Sequence, residues 1–220
     1  MAMTLAELTQ GFLELSTPCV SDALDTMRIR CGCEGLMPII QGKKFVGPAF
    51  TVEYGPIGQV KTGAGDYIDE TKPGDVIVIA NGAKTFCTAW GGLLSTVAKK
   101  KGVAGTVIDG VCRDVDVIRE VDYPMYTKGH YMVTGKDRIQ MLSYQKPISF
   151  CDIQVHPGDL VMADQSGVLI IPFNVAEKVL FSAREIDRAE TLIEQAVGEG
   201  YSLKEARLKY KYDSLQRAKD

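Results

Sequence analysis

Residues 74–116, GDVIVIANGAKTFCTAWGGLLSTVAKKKGVAGTVIDGVCRDVD, decide how the chain is built. The apolar runs Val76–Ala80 and Val103–Ile108 are short, rich in β-branched side chains and bounded by glycines, the pattern of parallel strands buried on both faces. Between them Leu93, Leu94, Val97 and Ala98 recur at helical spacing, and Lys99, Lys100 and Lys101 gather where the helix dipole favours cations. Strand, helix, strand predicts a parallel crossover unit of right-handed sense. Its two ends then face one another: Gly91-Gly92 at the helix start and Arg113-Asp114 just beyond the second strand.

Those ends carry the chemistry. Gly91-Gly92-Leu93-Leu94 opens a helix without a side-chain cap, so its first N–H groups are free and no Cβ blocks close approach. Helix starts of this kind bind carboxylates or phosphates, although the same glycine pair also serves as a tight turn. Arg113 adds a planar fork suited to a carboxylate. Asp114 adds a hard oxygen ligand for a divalent cation, or else caps the helix expected over Val115–Val121. A metal, anion-binding amides and an arginine, with no obvious nucleophile or base, suit a small 2-oxo acid. Its carboxylate would take the amides and Arg113, and its carboxylate and keto oxygens the metal, a Lewis acid that stabilises an enolate. Retro-aldol cleavage and decarboxylation of the carbon–carbon bond β to the ketone pass through the same pyruvate enolate.

Outward from this unit the pattern is of strands and turns with a helical tail. Residues 4–14 read as an amphipathic helix, and Ser21 as the cap of a second within Cys19–Met27. Phe45–Glu53, Leu160–Ala163 and Gly167–Pro172 read as strands. Pro73-Gly74-Asp75 and Pro157-Gly158-Asp159 are turns that launch strands. Helical periodicity runs from Val175 to Val197, with Val179, Ala183, Ile186, Ile193 and Val197 on one stripe and Glu190 among them. A carboxylate on an apolar stripe either reaches water at its edge or has a partner. The expected division is a domain over 1–174 with a helical arm over 175–220.

With 220 residues, 45% hydrophobic and 24% charged, the chain can bury one substantial core. A formal charge of −3 leaves no nucleic-acid footprint, and no apolar stretch approaches the ~20 residues needed to span a bilayer. MAMTLAELTQ lacks the features of a secretory signal, so a cytoplasmic location is expected, with no nucleic-acid or membrane partner. Six cysteines, at 19, 31, 33, 87, 112 and 151, form neither a CxxC motif nor a disulfide framework. Arg113 could lower the pKa of Cys112, and a buried strand-end thiol is the alternative. His130 and His156 have no second ligand at metal spacing and read as structural or surface residues. Lys61 and Lys84 would form a Schiff base readily only if desolvated. Trp90 reads as packing against the glycine loop.

The segments STPCVSDALD, GPAFTVE, KPGDVIVIANG, WGGLLSTVAKKKGVAGTVIDGVCRDVD and VHPGDLVMADQSGVLIIP together resemble the RraA-like family over almost the whole chain. That family holds divalent-metal-dependent 4-hydroxy-4-methyl-2-oxoglutarate aldolases, related oxaloacetate decarboxylases and RraA regulators of ribonuclease activity. The most specific match is Gly92 followed after twenty residues by Arg113-Asp114. The resemblance implies a layered β/β/α swivelling-type α/β domain with a C-terminal helical arm, assembled as a homotrimer or homohexamer with its site at a subunit interface. It implies that Gly91, Gly92, Leu93 and Leu94 supply amides to the substrate carboxylate, that Arg113 binds substrate, and that Asp114 holds Mg²⁺ or Mn²⁺ mostly through waters. Glu190 resembles a glutamate that some members contribute from the neighbouring subunit. The implied activity is that of a metal-dependent lyase on a small 2-oxo acid. The alternatives are a non-catalytic ribonuclease regulator or a lyase on a sugar acid. Two positions depart from the pattern: aldolases of the family commonly carry aspartate where Gly92 stands, and an acidic residue is often found where Val117 stands.

Overall fold

The structure is a computed structural model that describes residues 2–58 and 65–216; the candidate Lys61 lies outside the described residues. In chain order the elements begin with α1 (Leu5–Leu13), α2 (Thr17–Thr26), β1 (Met37–Pro38) and β2 (Phe45–Pro56). A 3-10 turn (Asp66–Glu70) precedes β3 (Val76–Trp90), α3 (Gly92–Lys101), β4 (Gly105–Cys112), α4 (Val115–Glu120) and β5 (Met125–Thr127). Then come β6 (Ile139–Tyr144), β7 (Ile148–Phe150), β8 (Ile153–Val155), β9 (Leu160–Asp164), β10 (Gly167–Ile171), α5 (Ala176–Gly198), α6 (Leu203–Lys209) and α7 (Tyr212–Leu215).

Two packing units emerge, Gly32–Phe173 and Met1–Cys31 together with Asn174–Asp220. In the first, β2, β3, β4 and β5 pair in parallel, with Ala49 opposite Val76, Val76 opposite Gly105 and Thr106 opposite Met125. The β3–α3–β4 segment is therefore the crossover that the periodicity predicts. The sheet continues antiparallel from β2 through β9 to β10, and β6 pairs with the distal half of β2. Gly32 bridges Leu169 of β10 while Met37 pairs with Thr127 of β5, so one short segment touches both ends of the strand order. The sheet is thereby nearly closed, and few N–H and C=O groups are left at a free edge.

Alternation along the strands makes two apolar faces. Ile77, Ile79 and Ile108 point one way and pack with Trp90, Tyr123, Ala98 of α3 and Ile118 of α4. Val76, Val78 and Val107 point the other way and pack with Tyr126, Phe150, Val155, Val161 and Ile170, which belong to the remaining strands. The result is the expected layered β/β/α arrangement. Helix α3 ends on Gly102, whose φ of 75° is the left-handed conformation favoured at a helix C-terminus. Its terminal lysines are tethered: Lys99 Nζ donates to Asp122 O and Lys101 Nζ to Asp69 O.

The other unit is helical. The long helix α5 buries Val179, Leu180, Ala183, Ile186, Ala189, Ile193 and Ala196, and packs on α1, α2, α6 and α7. Val197, expected on that stripe, is 43% exposed in the last turn of α5, where Ala196 beside it is buried. At Gly11 of α1 an added Cβ would stand 2.6 Å from Leu180 Cδ2, so glycine sets the approach of α1 to α5. Helix α2 starts earlier than the sequence suggests. Its cap is Ser16, whose hydroxyl accepts the Cys19 N–H, and Pro18 sits within the first turn, where its missing donor is harmless.

Candidate active site

The site is assembled where β3 and β4 end side by side. Trp90 closes β3 and is buried, stacking on Tyr123 with ring centroids 6.1 Å apart. Its indole N–H donates to Ser95 Oγ at 2.7 Å, and that hydroxyl donates to Gly91 O at 3.1 Å. The Arg113 N–H donates to Trp90 O at 3.1 Å, which ties the turn after β4 to the start of α3. Ser95 is fully buried and lies one turn into α3; it is a positioning residue that sequence reading missed.

Asp114 has left-handed φ and ψ of 57° and 42°, a conformation that Asp adopts more readily than most side chains. It occupies the cap position of α4 yet makes no capping bond to that helix. Instead its Oδ2 accepts the Gly92 N–H at 2.9 Å, and stands 3.5 Å from Arg113 Nε. The side chain thus caps α3 from outside its own segment and not the helix over Val115–Val121, the alternative that the sequence left open. Of the amides at residues 91–94, that of Gly92 is already engaged. Those of Leu93 and Leu94 lie in the first helical turn, where no intrahelical acceptor exists. Asp114 Oδ1 carries no hydrogen bond among the described residues.

Glycine is required at both positions by space. A Cβ on Gly91 would lie 2.6 Å from Asp114 Oδ2, and one on Gly92 would lie 2.8 Å from Val117 Cγ1 and 3.0 Å from Val117 Cβ. Positions 92 and 117, the two departures from the family pattern, are therefore in contact.

A cleft of about 510 Å³ opens at this junction, lined by Gly91, Leu93, Leu94, Arg113 and Asp114 together with Tyr54, Asp66, Thr88, Trp90 and Lys136. That volume suits a small organic acid. Tyr54 is buried, and burial pushes its phenol up to about 12, so it remains an O–H donor at neutral pH. Asp66 stands on the 3-10 turn and Lys136 on the loop before β6; neither carries a sequence signal beyond being a charged loop residue. A second cleft of about 430 Å³ shares Arg113 and Asp114 and is lined by Asp116, Val117, His130, Tyr131 and Met132. His130, read from sequence as structural or surface, thus borders the site.

The remaining candidates are not among the residues that line these clefts. Glu190 lies on α5 in the helical unit, where Oε1 accepts the Tyr212 hydroxyl at 2.6 Å. Lys84 Nζ donates to Asn81 O at 2.8 Å, and His156 Nδ1 lies 3.6 Å from Asp159 Oδ2. The Cys112 thiol is fully buried, and burial pushes it up to about 11 despite the adjacent Arg113. Desolvation of the thiolate outweighs the Thr127 hydrogen bond that favours it, so the thiol stays protonated at neutral pH. No disulfide forms among the described cysteines.

As for a metal, no group of three or more His, Cys, Asp or Glu side chains that could hold an ion forms among the described residues. Asp114 offers a carboxylate oxygen beside the open amides at the α3 start, and Asp66 and Asp69 line the same cleft. That donor set fits a hard cation that keeps most of its waters, as Mg²⁺ commonly does, and does not fit a metal that needs an all-protein cage. Among the described residues no helix is long and apolar enough to cross a membrane.

Comparison with known proteins shows the family of the chain. The family model described as RraA-like, Aldolase/RraA, matches residues 17–170, and the chain belongs to the RraA-like family. It is 37% identical over 213 residues to the protein DlpA of Legionella pneumophila, covering 96% of this chain and 35% of that protein; the chain thus spans about a third of DlpA. It is 31% identical over 201 residues to a Halalkalibacterium halodurans protein named "Putative 4-hydroxy-4-methyl-2-oxoglutarate aldolase", covering 90% of this chain and 92% of that one. Among solved structures, an uncharacterized protein from Pseudomonas syringae pv. tomato superposes with a TM-score of 0.86 at 35% identity, covering 94% of this chain and all of that one.

Proposed function

We propose that this chain is a divalent-metal-dependent lyase that breaks a carbon–carbon bond of a small 2-oxo acid through a pyruvate enolate. The observation that carries the reading is the convergence, in one cleft of about 510 Å³, of the α3 start, the Arg113 guanidinium and Asp114. The free Leu93 and Leu94 amides and the Arg113 fork would bind the substrate carboxylate, and the positive end of the α3 dipole adds to that attraction. Asp114 would hold Mg²⁺ or Mn²⁺ through one carboxylate oxygen and waters. The bound cation would supply Lewis-acid polarisation of the keto group. Arg113 and Asp114 keep their places through the Arg113 N–H bond to Trp90 O and the Gly92 N–H bond to Asp114 Oδ2, so little reorganisation accompanies binding. Trp90 and Leu94 exclude water from one wall. The names of relatives at moderate identity support a lyase over a ribonuclease regulator, as does retention of Asp114, which a purely protein-binding surface does not need.

The active form is a homotrimer or homohexamer, in keeping with the family resemblance. Apolar side chains stand exposed around the site, Leu93 at 80% and Met132 at 74%, and a neighbouring subunit would cover them. Glu190 of such a neighbour would then act as the proton-handling carboxylate. The test is pyruvate release from oxaloacetate and from 4-hydroxy-4-methyl-2-oxoglutarate, with and without Mg²⁺. Metal-dependent release from either supports the lyase reading; no release from any 2-oxo acid offered removes it.

A further inference from the structure

We infer that the Tyr54 hydroxyl delivers the proton that turns the enolate into pyruvate, from one face of C3. The inference rests on the reading of the site as a 2-oxo acid lyase and adds a residue to it. Whichever 2-oxo acid is cleaved, the electron pair of the C3–C4 bond enters the enolate as the C4 fragment leaves. The reaction ends when C3 takes a proton and the enolate oxygen becomes the keto group again. Tyr54 Oη gives that proton, keeps the O–H electron pair as a phenolate, and regains a proton from water. No oxidant or further reactant is needed.

Placement supports this role. Arg113 and Asp114 follow β4, Tyr54 belongs to β2, and β3 runs between those strands; all three residues line one cleft. A substrate whose carboxylate is held at Arg113 and the α3 start would extend across β3 toward Tyr54. The pairing of β2 with β6 steps from Glu53–Ser143 to Tyr54–Met141 and skips Leu142, a bulge at Tyr54 itself. Bulges beside a site re-aim side chains. Tyr54 is 5% exposed and meets the 3-10 turn at Tyr67, which is buried and stacks on Phe50 with ring centroids 6.1 Å apart. That turn is fixed against α3 at both ends. A Cβ on Gly65 would lie 3.1 Å from Leu94 Cδ2, and Lys101 Nζ donates to Asp69 O at 2.8 Å. The phenol and the carboxylate-binding amides are therefore positioned against the same helix.

The chemistry of the phenol agrees with its place. Burial, chiefly, pushes it up to about 12; the Tyr67 hydroxyl beside it lowers it and the Asp66 charge raises it, both by smaller amounts. Such a group is loaded with its proton at neutral pH, and the phenolate it leaves is basic enough to recover one from water at once. Of the other proton carriers on the cleft, Asp66, Asp69 and Lys136 are exposed, and the Thr88 and Thr134 hydroxyls are weaker acids than a phenol. Tyr54 is the one held out of water in a fixed place, as delivery to a single face requires.

The test is the stereochemistry of the product. The 2-oxo acid that releases pyruvate is offered with deuterium on one face of C3, in tritiated water with Mg²⁺, and the chirality of the pyruvate methyl group is read after correction for the metal-only reaction. Wild type should give one chirality. Tyr54→Phe keeps the ring and removes the donor; it should still release pyruvate, now with a racemic methyl group, because water reaches either face of the enolate. Tyr67→Phe removes the neighbouring hydroxyl but leaves the donor, and should keep the chirality. A racemic product from wild type would overturn the inference and leave the lyase reading standing, whether or not Tyr54→Phe folds. Chirality retained by Tyr54→Phe would overturn it as well, and so would equal loss in Tyr67→Phe, which would make the effect one of packing. A folded Tyr54→Phe that releases no pyruvate would place Tyr54 in bond breaking instead and also overturn it. Absence of pyruvate from every 2-oxo acid offered to wild type would remove the lyase reading and this inference with it.

Discussion

Asp114 caps α3 through Oδ2 and the Gly92 N–H, and in the function proposed above its Oδ1 would be left for a cation. The two roles are separable. Asp114→Asn keeps a side-chain oxygen able to accept the Gly92 N–H, so its Tm should stay near wild type while metal-dependent activity falls by at least ~10²-fold. Asp114→Ala should lose activity equally and also lose a cap worth about 1 kcal/mol. Melting curves beside pyruvate assays check both, and equal Tm values for the two variants would show that the capping bond contributes nothing. Arg113 invites a sharper test. Lysine keeps the charge but lacks the fork, so Arg113→Lys should lower kcat/KM by ~10-fold or more, a loss of about 1.4 kcal/mol. A smaller loss would make Arg113 a structural residue. Much of this was legible in sequence, because Arg113-Asp114 follows the glycine pair at a distinctive spacing. That Asp114 caps a helix other than its own was not legible, since that bond joins residues 22 apart. Nor was the contact of Gly92 with Val117, which depends on how close two short helices come.

At the scale of elements, the start of α3 is capped from outside. It has no capping side chain of its own at Gly91, and its order comes from Asp114 and the Trp90 carbonyl beyond it and from Ser95 within it. Gly91→Ala should therefore do more damage than its small size suggests, since the new Cβ would lie 2.6 Å from Asp114 Oδ2. The expected outcome is a folded protein with lowered Tm and at least ~10-fold weaker activity, because the cap and the proposed metal ligand would share that carboxylate; wild-type activity in this variant would argue against the shared role. The crossover itself was readable from apolar periodicity, yet the continuation of β3 to Trp90 was not. Residues 81–88 are polar and interrupted by register shifts, so they do not alternate as a regular strand does. The start of α2 was misplaced for a related reason: Thr17-Pro18 looks like a break, although proline is well accommodated in a first helical turn.

At the scale of the whole molecule, the layered fold and its family follow from segments spread along the chain, whereas the proposed role of the arm at a neighbour's site would depend on assembly. Glu190 accepts a hydrogen bond from Tyr212 of its own chain. If it also serves a neighbour's site, Glu190→Gln should abolish activity and preserve the oligomer. Mixing that variant with Asp114→Ala under conditions of subunit exchange should then recover part of the activity, and no recovery after verified exchange would confine Glu190 to its own subunit. Partner geometry of this kind is not written in one chain's periodicity, which shows an apolar stripe but not what covers it. The most direct test of the central claim is pyruvate release from oxaloacetate and 4-hydroxy-4-methyl-2-oxoglutarate by wild-type protein and by Asp114→Ala, each in Mg²⁺ and in EDTA. The expected result is release above the metal-only rate by the wild type in Mg²⁺ alone, restored after EDTA when Mg²⁺ is returned. Release that persists in EDTA, or that Asp114→Ala retains in full, would contradict it.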